Sequence, residues 1–157
     1  MKIKEQVYLD ILNSNIGVSN ESGGLLGGRK GIIDRYCIDL GIKSGKTCYY
    51  PDVVYLNNVL LEWKREGVTL YGFFHTHTLG RTELSPGDKA YAYAVLKAMP
   101  TEIKSLLFPV VIPGVEMVLY RGELVDNEIV FSHEDTMLVK IEKENYYGKN
   151  QERRNPG

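Results

Sequence analysis

The side chains best able to act together chemically lie in residues 72–88, Gly-Phe-Phe-His-Thr-His-Thr-Leu-Gly-Arg-Thr-Glu-Leu-Ser-Pro-Gly-Asp, which hold two of the chain's three histidines. His75 and His77 follow an apolar run, 68–74, rich in β-branched and aromatic residues, which predicts a buried strand. Residues two apart on a strand point to one face, so both imidazoles look the same way. Asp88 comes eleven residues after His77, in Ser85-Pro86-Gly87-Asp88. Proline after serine at the start of an apolar-periodic segment marks Ser85 as a helix N-cap, with Pro86 in the first turn. Where that strand end meets that helix start, two ring nitrogens and a carboxylate oxygen surround one point. Three protein ligands with an open position is the catalytic form of a zinc site. The same residues also fit a plainer reading. Two histidines two apart occur by chance, and Ser-x-x-Asp resembles a capping box that needs no metal.

Water activated by such a metal needs a positioned proton acceptor. Glu21 supplies a candidate, at the start of Glu-Ser-Gly-Gly-Leu-Leu-Gly-Gly, 21–28. Taken alone, an acidic residue there is a solvated side chain. The glycines lack the Gly-Lys-Ser/Thr ending of a phosphate loop and read instead as close approach of another backbone.

The elements that must position these residues follow from periodicity. Ile3, Val7, Tyr8, Ile11 and Leu12 predict an amphipathic helix over about 3–14. Residues 21–28 and 32–40 predict a hairpin turning at Gly28 to Gly31, and 42–50 a polar loop. Pro51-Asp52 opens a second helix carrying Val53, Leu56, Leu60 and Trp63 and ending at Gly67. After the histidine strand, Ala90, Tyr91, Ala94, Val95 and Ala98 mark a third helix, stopping before Pro100. Strands are expected over 106–112, 115–120 and 124–131, with a turn at Pro113-Gly114. The sum is one α/β domain over 1–141, a mixed sheet with helices on its faces. The charged, asparagine-rich segment 142–157 is expected to be a disordered polar tail.

At this point the spacing becomes specific. Glu21-Ser-Gly-Gly-Leu-Leu-Gly, then His75-Thr-His77, seven residues, and Ser85-Pro-Gly-Asp88 resembles the JAMM (MPN-plus) zinc metallopeptidases, compact prokaryotic type, over about 3–131. The family pattern is a distant glutamate, His-x-His, seven residues and Ser-x-x-Asp. One position departs, since Thr78 stands where the family usually has proline. The resemblance implies a cytidine-deaminase-like α/β/α sandwich of the JAB/MPN kind. It implies that His75, His77 and Asp88 hold one Zn2+, that Glu21 is the general base and acid, and that the Ser85 hydroxyl stabilises the oxyanion.

It also implies a substrate, the bond after the Gly-Gly tail of a ubiquitin-like protein, either an isopeptide or a linear peptide bond. The setting would be a bacterial ubiquitin-like system, some with antiphage roles. A tail without side chains can thread a narrow channel and pair at a sheet edge. The surface for it is expected around 48–50 and 78–84, with Tyr49, Tyr50, Thr78 and Leu79 as contacts. The competing readings are a metal-free MPN scaffold, which would lack the ligands, and a zinc peptidase acting on unrelated peptides such as cell-wall peptides. A zinc deaminase would need His/Cys/Cys ligands, and Cys37 and Cys48 are not so spaced.

Composition bounds the partners. A net charge of −1 on 157 residues implies no nucleic-acid footprint. No apolar run reaches membrane-spanning length, so a cytoplasmic protein without a membrane partner is expected. In that compartment Cys37 and Cys48 are expected as free thiols, with pairing left open. A homodimer is compatible with the sequence.

Overall fold

The structure is a computed structural model that describes residues 1–14, 18–43, 45–78 and 80–140. In chain order its elements are β1 (Lys2–Lys4), α1 (Glu5–Asn13), β2 (Gly23–Arg29), β3 (Ile32–Asp39), α2 (Val53–Arg65), β4 (Thr69–Thr76), α3 (Pro86–Ala98), β5 (Ser105–Leu107), β6 (Val110–Ile112), β7 (Glu116–Val118), β8 (Tyr120–Val125), β9 (Glu128–His133) and β10 (Met137–Val139). The strands form one mixed sheet in the order β10-β1-β3-β2-β4-β5-β8-β9, with β6 on β4 and β7 on β6. The tail expected over 142–157 lies outside the described residues.

Alternation along β2 and β4 sets the layers. Leu26 and Phe74 pack with Val7 and Ile11 of α1. Their chain neighbours Leu25 and Phe73 point the other way and pack with Leu56 and Trp63 of α2 and Ala92 and Leu96 of α3. The sheet is therefore sandwiched, with α1 on one face and α2 and α3 on the other. Each large apolar side chain fully buried this way contributes on the order of 1.5–3 kcal/mol. Gly27 lies on the α2 side, where a Cβ would stand 2.4 Å from the Trp63 ring. That glycine lets the indole lie on the strand, a close approach by a side chain where the sequence reading expects a backbone.

Several boundaries differ from the sequence expectation. The first helix begins at Glu5, because Lys2–Lys4 pairs in parallel with both β3 and β10 and buries Ile3 between them. The strand expected over 106–112 is two strands broken at Phe108-Pro109, proline having no N–H for a ladder. Its halves serve different stretches of β4, Leu107 pairing Gly72 and Val110 pairing His75. The strand expected over 124–131 is instead a hairpin, turning at Asp126 and Asn127 with φ of 49° and 65°. Two consecutive left-handed residues of this kind make the tight turn that matches strand twist. No helix among the described residues is long and apolar enough to cross a membrane.

Candidate metal centre

The histidine strand runs two residues further than its apolar pattern, and both flanking strands hold it. The N–H groups of His75, Thr76 and His77 donate in turn to Pro109 O (3.1 Å), Ser22 O (2.8 Å) and Val111 O (3.0 Å). Thr76 also accepts the Ser22 N–H on its hydroxyl at 2.9 Å. Gly23 is the cross-strand partner of His75 in the antiparallel β2–β4 pair. Continuing that register two residues sets Glu21 beside His77, on the same face as both imidazoles. That face is the α3 side of the sheet, and α3 points its first turn at it.

Ser85 caps α3 in a complete capping box. Its Oγ accepts the Asp88 N–H at 3.1 Å, and Asp88 Oδ2 accepts the Ser85 N–H at 2.7 Å. The plainer reading of Ser-x-x-Asp is thus realised, and it serves the site as well. It leaves Asp88 Oδ1 at 3.2 Å from His75 Nε2 and Oδ2 at 3.2 Å from His77 Nε2. The two Nε2 atoms are 2.8 Å apart, and one ligand atom from each of the three residues falls within 4.8 Å of the others.

The hydrogen bonding shows what this cluster suits. A carbonyl can only accept, so His77 Nδ1, 2.6 Å from Arg81 O, carries a proton and donates it. In the neutral ring Nε2 then holds its lone pair toward His75 and Asp88, the tautomer of a metal ligand whose other nitrogen is oriented by a carbonyl. Lone pairs and a carboxylate so close need a positive centre between them, either an Nε2–H proton on one of the two rings or a metal ion. Burial disfavours the charged His77, but hydrogen bonds to Asp88 and the Arg81 carbonyl outweigh it and raise its pKa. Burial likewise pushes the Asp88 carboxyl up, yet His75, His77 and the Ser85 N–H hold it well below the usual carboxylate range. Ligands on a tetrahedral zinc with ~2.0–2.1 Å bonds sit roughly 3.3 Å apart, close to the 2.8 and 3.2 Å found here. The donor set of two buried imidazoles and one carboxylate fits a divalent metal.

Glu21, Thr47, His77, Arg81, Ser85 and Asp88 line one cleft of about 50 Å³. At ~10–15 Å³ per water it holds only a few. Burial raises the Glu21 carboxyl above its usual value, against the lowering pull of His77 and His75. Ser85 spends one Oγ lone pair on the Asp88 N–H, and its O–H remains to donate.

Two features here were missed in the sequence. Arg81 enters through its main-chain carbonyl, which no residue type announces. Asp39 is buried and accepts from Tyr49 O–H (2.6 Å), Asp52 N–H (2.9 Å) and Gly41 N–H (2.9 Å). These bonds close the segment between β3 and α2. Within it Ile42 N–H meets Tyr50 O at 3.0 Å and Gly45 N–H meets Cys48 O at 2.9 Å. The tip then docks on both sides of the cleft, Gly45 O accepting the Glu21 N–H at 2.7 Å and Lys46 O the Thr78 hydroxyl. Where the resemblance would have proline, Thr78 is thus tied down by a hydrogen bond.

Of the expected contact residues, Tyr49 has its hydroxyl committed to Asp39, and its ring lies where a Cβ on Gly23 would be. Burial pushes that phenol up, with Asp39 adding to the effect. Tyr50 is exposed, and Leu79 lies outside the described residues. Cys37 and Cys48 are free thiols.

No protein-family model and no curated protein matches the sequence. A protein from Desulfitobacterium hafniense, solved in solution, superposes with a TM-score of 0.67 at 17% identity, over 90% of this chain and 94% of that one. A protein from Salinibacter ruber gives a looser superposition, with a TM-score of 0.48 at 19% identity over 92% of this chain and 94% of that one. The Desulfitobacterium protein shares this chain's α/β fold, and at that identity the likeness is one of fold alone.

Proposed function

We propose that the protein is a zinc-dependent peptidase of the JAMM kind, hydrolysing the bond after the Gly-Gly terminus of a ubiquitin-like protein. The JAB/MPN form of the sandwich belongs to the same reading. One observation carries it: β2–β4 pairing and the α3 cap bring Glu21, His77 and Asp88 to a single cleft, with a ligand atom of His75 within 4.8 Å of those of His77 and Asp88. A scaffold would have no use for a glutamate beside a complete ligand set.

His75, His77 and Asp88 would hold the metal. When bound, zinc supplies a Lewis acid that polarises a carbonyl and brings the pKa of a water it holds to about 7. The remaining work falls to the chain's own groups. Glu21 accepts the proton of the attacking water and passes it to the departing amine. Its half-buried carboxyl, raised by desolvation, suits a group that must both take and give. Ser85 turns its unused O–H to the oxyanion, a donor whose loss typically costs ~100- to 1,000-fold in rate. The Arg81 carbonyl keeps His77 in the tautomer that presents Nε2. A cleft this narrow favours a tail without side chains, and Tyr50 stands exposed on the segment bordering it.

The test is a substrate panel with zinc-loaded protein. Ubiquitin-like proteins extended past Gly-Gly should be cut directly after the second glycine, while fusions ending Ala-Ala and unrelated peptides survive. Equal cleavage of all of them would remove the Gly-Gly assignment and leave a general zinc peptidase.

A further inference from the structure

Among the described residues, Arg81 is the one permanently cationic side chain lining the cleft. Its carbonyl is anchored to His77, so the residue's position is set by the ligand itself. The loop that carries it is pinned again where the Tyr120 hydroxyl donates to Thr82 O at 2.8 Å, and where buried Leu84 packs with Val110 and Ile112. Among the described residues the Arg81 guanidinium makes no hydrogen bond or ion pair, and the side chain is exposed. A five-donor cation lining the cleft with no hydrogen-bond or ion-pair partner among the described residues has its donors free for a ligand.

The cleft narrows what that ligand is. Glu21 and Asp88 share the lining, so a dianion such as a phosphate would meet two carboxylates, whereas a single carboxylate matches the guanidinium fork and little else. Glu21, the group that would protonate the leaving amine, lines the same cleft as Arg81. In a linear peptide the leaving amine carries its α-carboxyl one carbon away. In an isopeptide the leaving amine ends a lysine side chain, and its own carboxyl lies far up that chain, already in an amide.

Resting on the proposed Gly-Gly hydrolysis, we infer that Arg81 is a specificity residue whose guanidinium binds a carboxylate on the leaving residue. The site is thereby biased toward linear Gly-Gly-X ends and away from lysine isopeptides. The carboxylate has two sources, the free C-terminus of a one-residue extension or an acidic side chain at X. The reaction is ordinary hydrolysis: water adds across the Gly–X bond, leaving a glycine carboxylate and a free amine.

The test uses zinc-loaded Glu21→Gln protein, with or without Arg81→Gln or Arg81→Lys, and four blocked peptides. These are Gly-Gly-Ala with a free carboxylate, Gly-Gly-Ala-amide, Gly-Gly-Glu-amide and Gly-Gly linked to a lysine side chain. Binding by calorimetry is expected to favour the free carboxylate over Ala-amide and isopeptide by at least ~10-fold, the scale of a charge-assisted bond. Arg81→Gln should erase that gap and Arg81→Lys restore part of it. Gly-Gly-Glu-amide binding as tightly as the free carboxylate would show that Arg81 takes either source, and binding more tightly would assign the role to an acidic side chain at X. Equal binding of all four, or a gap that survives Arg81→Gln, overturns the inference. Turnover by Arg-intact, Glu21-intact protein is read separately. A carboxylate preference with no hydrolysis of any peptide would sink the peptidase reading and leave Arg81 as an anion site.

Discussion

His75 Nε2 and His77 Nε2 stand 2.8 Å apart, both turned toward the two oxygens of Asp88. A divalent cation relieves that crowding of lone pairs better than one shared proton, so metal binding should stabilise the fold. Zinc at ~100 times its Kd adds about 2.7 kcal/mol, or roughly 5–10 °C in Tm for a domain of this size. Thermal unfolding with zinc and with EDTA measures it, and His77→Ala should abolish the difference. Coincident curves for wild-type protein would argue against a metal centre.

The Asp39 cluster makes a second prediction, about a residue far from the motif. Asp39→Ala leaves the Tyr49 hydroxyl and the Asp52 and Gly41 amides without their acceptor. Stranding buried donors costs on the order of 1–3 kcal/mol each before water re-enters, so a loss of about 2–4 kcal/mol in urea unfolding is expected. The Glu21 amide reports the local effect. Its bond to Gly45 O depends on the segment Asp39 closes, and its hydrogen exchange should quicken more than that of Phe74 in β4.

Much of this was legible in the sequence because the chemistry sits in short contiguous motifs. His75-Thr-His77 and Ser85-Pro-Gly-Asp88 each carry a local structural rule, strand alternation and helix capping, that also sets the ligand geometry. Glu21 is harder to place, since only the Gly23–His75 register sets it beside His77. What stayed hidden had no local signal. Lys2–Lys4 and Met137–Val139 are three-residue strands whose partners are each other across the chain. Phe108-Pro109 sits within an apolar stretch that reads as one strand. Asp126-Asn127 is a hairpin signal set inside an apolar run that reads as one strand. Asp39 and Tyr49 are ten residues apart, and nothing in their types foretells that one is buried against the other.

A third prediction concerns pH. Arg121 donates to both oxygens of Glu134, from Nε at 3.0 Å and Nη2 at 3.1 Å. Those bonds hold the carboxyl below its usual value, although burial opposes them. A group depressed in the folded state adds stability above its unfolded pKa of about 4.3, and that contribution is lost as pH falls through the folded pKa. The pair is partly exposed, so the expected size is only ~0.5–1 kcal/mol. Urea midpoints near neutrality and near pH ~3 should show wild type ahead of Glu134→Gln at the first and level with it at the second. An advantage that persists in acid would show that the pair's charge is not the source.

On the proposed reading, a metal held by His75, His77 and Asp88 works with Glu21 as its acid–base partner. Zinc content and cleavage of a Gly-Gly-extended ubiquitin-like protein, measured together on wild type and Glu21→Gln, test it most directly. The expected result is about one zinc per chain in both proteins, with cleavage by the wild type and a fall of at least ~100-fold in the variant. Full zinc with undiminished cleavage by Glu21→Gln would remove the base. Wild-type protein that binds no zinc would contradict the whole site.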